Sequence, residues 1–204
     1  MSPRPNRNVQ PPNHENFWVE ALKTVGLSLF LAFGIRAGVA QSFFIPSGSM
    51  EPTLQINDRL MVDKVSYHFT NPQRGDIVVF MPPNDATAKC GIAQKSHDAW
   101  IKRVIGLPGE KIAVKGGLVY VNAHPVRENY IAQPPQYQWG PVTVPPSSYL
   151  VLGDNRNNSC DGHYWGFVPR DNLVGRAFTR YWPPLRVGQL NQHPIIVKSE
   201  PKHE

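Results

Sequence analysis

From Val25 to Ile45 the chain runs for about 21 residues with a single charge, Arg36. Around 20 apolar residues in a helix, rising ~1.5 Å each, match the ~30 Å hydrocarbon core of a bilayer. The stretch Val25–Ile35 is apolar on every side, whereas a surface helix keeps one polar face. The pattern predicts a transmembrane helix over residues 17–42. Two other readings compete with it. Gly38-Val39-Ala40 supplies the small-x-small end of a cleavable signal peptide, although Arg36 breaks the apolar run that such a peptide needs. A buried helix of a globular domain is the third. Arg4, Arg7 and Lys23 precede the run, so the positive-inside rule puts the N-terminus in the cytoplasm and everything after residue 45 across the membrane. Residues 1–16, with Pro3, Pro5, Pro11 and Pro12, read as a disordered cytoplasmic tail.

Past the anchor the signal changes to short β-like runs cut by turn residues. Arg59–Val65, Asp76–Phe80, Trp100–Ile105, Lys111–Val114, Leu118–Val121 and Tyr149–Leu152 are such runs, with breaks at Asn71-Pro72, Arg74-Gly75, Gly106 to Gly109, Gly116-Gly117 and Gly153-Asp154. The 21 prolines among 204 residues also argue against a helical bundle. Five of them fall between Gln133 and Ser148, which reads as a connector or edge segment, because proline cannot donate to a central ladder. The fold class expected is mainly β: antiparallel sheets in one catalytic domain over residues 43–190, after the transmembrane helix and before a tail at 191–204.

The net charge of +6 comes from basic residues scattered singly, with no run of five, which speaks against nucleic acid. Cys90 and Cys160 form no CxxC or His/Cys cluster, so neither zinc nor any other metal is expected, and no organic cofactor. Whether they pair is open, since pairing depends on their Cα separation.

Three local strings carry chemistry. In Ile45-Pro46-Ser47-Gly48-Ser49-Met50-Glu51-Pro52, two serines flank a glycine in a loop stiffened by prolines, which is able to aim a hydroxyl; a plain juxtamembrane linker is the bland reading. A serine hydroxyl needs a base. Asp161-Gly162-His163 tempts towards a Ser-His-Asp triad, but His163 sits in a loop-like stretch. Lys102 is the other base: alternation places it with Trp100 and Val104, opposite Ile101, Arg103 and Ile105. Desolvated among apolar neighbours, a lysine amine loses its proton towards neutral pH and turns basic in the catalytic sense, unless its tip reaches water. Finally, Gly153-Asp154-Asn155-Arg156-Asn157-Asn158-Ser159-Cys160-Asp161 follows a buried strand with small polar residues suited to a tight turn, leaving Arg156 to pair a carboxylate.

Taken in order, IPSGSMEPTL, RGDIVVF at 74–80, IKRVIGLPGEKI at 101–112 and GDNRNNSCDGHYWGFVP at 153–169 resemble type I signal peptidase, a membrane-anchored serine protease that removes signal peptides from exported preproteins. The resemblance covers most of the chain beyond residue 43. It implies Ser49 as nucleophile, Lys102 as general base, Ser47 with the Ser49 N–H as oxyanion hole, and Ser159 as the residue that holds the lysine amine. By the same resemblance Asp154, Arg156 and Asp161 shape the turn, and Phe43, Ile45, Met50, Leu54, Val79 and Ile101 wall shallow pockets that accept Ala one and three residues before the cut. The substrate implied is an extended chain held by its backbone.

The partners implied are exported preproteins, the lipid bilayer and a nearby export translocase. The place implied is the plasma membrane, with the catalytic domain on its outer face, or a thylakoid membrane. Many family members read Asp-Ser-Arg where this chain has Asp161-Gly162-His163, which removes the arginine of a salt bridge. The short segment between Met81 and Ala99 leaves no room for a large accessory domain, as in compact one-span members such as those of cyanobacteria. The alternatives are a specialised relative for pilin or thylakoid processing and an inactive membrane-tethered binding module.

Overall fold

The computed structural model describes residues 14–83, 85–91, 98–190 and 196–197. Of the two expected tails, residues 1–13 and most of 191–204 lie outside the described residues. The chain divides into two units, residues 1–38 and 39–204.

The described part of the first unit is one helix, α1 (His14–Val39). Phe17, Trp18, Leu22, Val25 and Phe30 along it are all exposed. Two polar residues inside it are masked by the helix itself: Thr24 and Ser28 donate their hydroxyls to carbonyls one turn back, at 2.8 and 2.7 Å. Among the described residues no helix is long and apolar enough to cross a membrane. The helix also stops at Val39, three residues short of the expected boundary at 42. Ala40–Ser42 instead begin a strand, paired residue by residue with Asp63, Val62 and Met61.

The second unit is mainly β, as the turn-punctuated pattern implied. Its strands in chain order are β1 (Ala40–Phe44), β2 (Arg59–Asp63), β3 (Ile77–Phe80), β4 (Trp100–Gly106), β5 (Lys111–Lys115), β6 (Leu118–Val121), β7 (His124–Arg127), β8 (Trp139–Thr143), β9 (Ser148–Leu152), β10 (Val168–Pro169), β11 (Leu173–Trp182), β12 (Gly188–Gln189) and β13 (Ile196–Val197). The larger sheet has the order β1-β2-β11-β3-β4-β9-β10, with β12 paired to β11, and the smaller β13-β7-β6-β5-β8. Neighbours pair antiparallel throughout. β8, inside the proline-rich connector, is an edge strand, where Pro141 withholds no ladder hydrogen bond.

Three apolar clusters hold the sheets. One packs Ile45, Met50 and Leu54 against Leu60, Val62, Ile77 and Val79. A second joins the two sheets, with Ile105, Leu150 and Leu152 of the larger against Ile112, Val119 and Val121 of the smaller. The crossing from β4 to β5 passes Gly106, where a Cβ would fall 2.9 Å from both Ile112 and Val144, closer than side-chain contacts allow. The third cluster packs Val78, Phe80 and Val104 with Trp165 of α4 (Gly162–Trp165), one of three single-turn helices beside α2 (Ser66–Phe69) and α3 (Ala86–Lys89).

Candidate active site

The loop between β1 and β2 is fixed from below and from one side. Below, Met50 and Leu54 are buried core residues, and Leu54 N–H donates to the Met50 carbonyl at 2.9 Å. At the side, Asn155 donates its N–H to the Ser49 carbonyl and its side-chain amide to the Gly48 carbonyl, both at 3.1 Å. Arg180 donates to the Thr53 carbonyl at 2.8 Å and closes the far end. These bonds fix the backbone on either side of Ser49.

Strand β4 brings Lys102 to the loop. Lys102 pairs with Val78 across the ladder, and its Nζ donates to Ser49 Oγ at 2.7 Å and to the Ile101 carbonyl at 3.1 Å. The residue is 6% exposed. Burial pushes the Lys102 amine down to about 8, with the carboxylates of Asp161 and Asp154 pulling the other way. The triad alternative is not assembled: His163 Nδ1 lies 2.7 Å from Asp161 Oδ1, but its ring is stacked on Tyr137, and the partner of Ser49 is Lys102.

Behind the dyad two buried ion pairs lock the turn after β9 to the sheet. Asp154 accepts from Arg103 Nε at 2.8 Å and Nη2 at 2.6 Å, both side chains fully buried, and Thr53 Oγ1 donates to the same carboxylate. Arg156 donates to both oxygens of Glu128, at 2.8 and 2.9 Å. Tyr130 lies between them, its ring 4.1 Å from the Arg103 guanidinium. Burial opposes the charge on Arg103, but Asp154 holds its pKa above the ordinary value. Asp161 accepts the Gly153 N–H at 2.8 Å and caps α4. Gly153 has no room for a side chain: a Cβ there would run into Ser159 Oγ and the Ser49 carbonyl oxygen.

A cleft of about 450 Å³ opens above the dyad. Of the six expected pocket residues, Phe43, Ile45, Val79 and Ile101 line it. Met50 and Leu54 do not; both are fully buried, joined by the turn bond from Leu54 N–H to the Met50 carbonyl, and pack into the core beneath the loop. Trp100, Asn158 and the bonded pair Cys90–Cys160 complete the wall, so the open cysteine question resolves to a disulfide with Cα atoms 5.8 Å apart. Ser47 lines the cleft beside Ser49. Ser159 Oγ is buried and makes no hydrogen bond, so its expected contact with the lysine amine is not formed; Lys102 donates to the Ile101 carbonyl instead. Sequence reasoning missed Arg103, Glu128, Tyr130 and Asn155. Only Arg156, read as seeking a carboxylate, hinted at one of them.

Chemically, a serine hydroxyl against a desolvated amine, on the floor of an open cleft next to edge strand β1, equips a serine hydrolase that takes an extended chain. The model of the family described as signal peptidase, peptidase S26, matches residues 18–182. A probable signal peptidase I-2 of Synechocystis is 58% identical over 90% of this chain and 81% of its own length. A signal peptidase I of Leptolyngbya laminosa is 54% identical over 90% of this chain and 89% of its own. The chloroplastic thylakoidal processing peptidase 1 of Arabidopsis thaliana is 37% identical over 89% of this chain and 54% of its own. The chain belongs to the signal peptidase family, serine peptidases that remove signal peptides.

Proposed function

We propose that Ser49 is the nucleophile and Lys102 the general base of a membrane-bound peptidase that cuts exported preproteins after an Ala-x-Ala end. The observation that carries this reading is the 2.7 Å contact between a buried amine and a hydroxyl on the cleft floor. With Lys102 protonated, Nζ donates to Oγ. Once the amine is neutral the bond reverses: the hydroxyl donates to the nitrogen lone pair and its proton moves there as Oγ attacks the scissile carbonyl. The developing oxyanion is received by the Ser49 N–H and the Ser47 hydroxyl, donors of a kind worth about 3–4 kcal/mol each when aimed at that charge. The ammonium of Lys102 then gives its proton to the departing amine. Water hydrolyses the acyl-enzyme with Lys102 again as base. In this reading Ser159 turns to the amine during the cycle and steadies it.

The apolar walls Phe43, Ile45, Val79 and Ile101 favour small side chains beside the cut, and edge strand β1 offers backbone pairing to the substrate. We place α1 in the lipid bilayer with the N-terminus cytoplasmic, the catalytic domain on the outer face and an export translocase close by; its exposed apolar side chains, among them Leu22, Val25, Leu29 and Phe30, and the Thr24 and Ser28 hydroxyls bonded back to the helix support this. A thylakoid membrane is the second reading, favoured by the likeness to the Arabidopsis peptidase. The assembled dyad speaks against an inactive binding module.

The test compares wild type, Ser49→Ala and Lys102→Ala in lipid, on a preprotein ending its signal in Ala-x-Ala. Wild type is expected to cut after that Ala and both variants to fold without cutting. Cleavage retained by Lys102→Ala would remove the base assignment.

A further inference from the structure

Three carboxylates stand behind the cleft, and they are not partnered alike. Asp154 faces Arg103 and Glu128 faces Arg156, each through two hydrogen bonds to a permanent cation. Asp161, fully buried, has a histidine in that position: His163 Nδ1 lies 2.7 Å from Oδ1, and the His163 backbone N–H adds a bond to the same oxygen at 3.2 Å. The imidazole is held in place. Tyr137 stacks on it at 4.1 Å with the planes 9° apart, and Tyr164 covers it at 4.1 Å from its own helix. Of the charges around this pair, Arg156 is answered by Glu128, and burial keeps the Tyr137 phenol protonated. Of the two carboxylates whose charge reaches Lys102, Asp154 is answered by the permanent cation Arg103, and Asp161 faces a side chain that ordinarily changes charge between about pH 5 and 8.

We propose that His163 is a positioning residue for the general base, whose protonation sets how much of the Asp161 negative charge acts on Lys102 and thereby where on the pH scale the peptidase switches on. Neutral His163 leaves Asp161 uncompensated, and the Lys102 ammonium is favoured. Cationic His163 forms an ion pair with Asp161, and the amine gives up its proton more readily. An arginine at 163 would hold the ion pair closed at every pH. This inference rests on Lys102 being the base.

The experiment records kcat/KM against pH for wild type, His163→Arg and His163→Gln in lipid, with thermal melting of each. His163→Arg is expected to move the acid limb down by half a pH unit or more, which is about threefold more activity at pH 7. His163→Gln is expected to keep the wild-type midpoint but to fall below wild type progressively as the pH drops from 7 to 5. Limbs with one midpoint in all three, differing only by a pH-independent factor, would make His163 a structural residue and overturn the proposal. Should an arginine not fold at 163, the wild type to His163→Gln ratio between pH 7 and 5 decides alone, a constant ratio refuting it. Failure of the base assignment reads differently: Lys102→Ala would then stay active whatever the His163 variants do.

Discussion

Asp154 and Arg103 meet through two parallel hydrogen bonds with no exposure of either side chain, and Thr53 of the nucleophile loop donates to the same carboxylate. One carboxylate thus joins strand β4, which carries Lys102, to the loop that carries Ser49. The spacing of Ser49 and Lys102 is set from behind, by a charge pair with no exposed side-chain surface.

Breaking that pair strands a buried charge. Asp154→Asn is expected to destabilise the domain by about 3–5 kcal/mol, measured by urea unfolding. Arg103→Lys keeps the charge but loses the planar fork, and is expected to fall between wild type and Asp154→Asn. A loss below about 1 kcal/mol for Asp154→Asn would mean that water reaches the site.

The second prediction concerns pH and activity. With Lys102 at about 8, kcat/KM in the free enzyme is expected to rise with pH up to that region and then level off. A rise complete by pH 6 would exclude a lysine base of this kind.

Stability runs with the same group. The folded amine lies near 8 against an ordinary 10.5, so between those values the unfolded chain binds more protons and stability climbs with pH. Below pH 8 the full cost of the buried ammonium is present. Lys102→Met is therefore expected to be inactive yet more stable by up to about 3 kcal/mol at pH 7, the gain fading towards pH 10. A variant less stable than wild type at both pH values would refute the desolvation argument.

A methyl group at residue 153 has nowhere to go. Gly153→Ala is expected to displace the Ser49 carbonyl or Ser159 and to lower kcat by about 100-fold, the penalty of a misplacement near 1 Å. Normal kcat together with a normal melting temperature would show that the turn yields freely.

The disulfide closes a loop of 70 residues and forms part of the cleft wall. Replacing both Cys90 and Cys160 by serine is expected to cost about 4 kcal/mol of stability, read by unfolding with and without reductant. Equal stability of the two proteins would show that the unfolded chain gains nothing from release of the loop.

Much of this was legible beforehand because it rests on local pattern. The alternation in WIKRVI separates Trp100 and Val104, which pack with Phe80, from Ile101, which packs with Val79, as the period of two requires. Proline-rich 133–148 holds an edge strand for the same local reason. What escaped depends on distance along the chain. Glu128 meets Arg156 across 28 residues and Arg103 meets Asp154 across 51, and no spacing rule links them. Strand β11, ten residues long, hid because its register shifts between Ala177 and Thr179 and again between Arg180 and Trp182, which breaks the alternation that betrays a strand. Met50 and Leu54 were placed in pockets because their motif is catalytic, while their side chains serve the core.

The residual exposure of Lys102 lies on the side of the cleft. On the proposed reading, a chain bound in the cleft would cover it and complete the drying of the amine. Occupancy would thereby free the amine of its proton at lower pH, while the idle site holds that proton on Lys102; the acid limb of kcat is accordingly expected below that of kcat/KM.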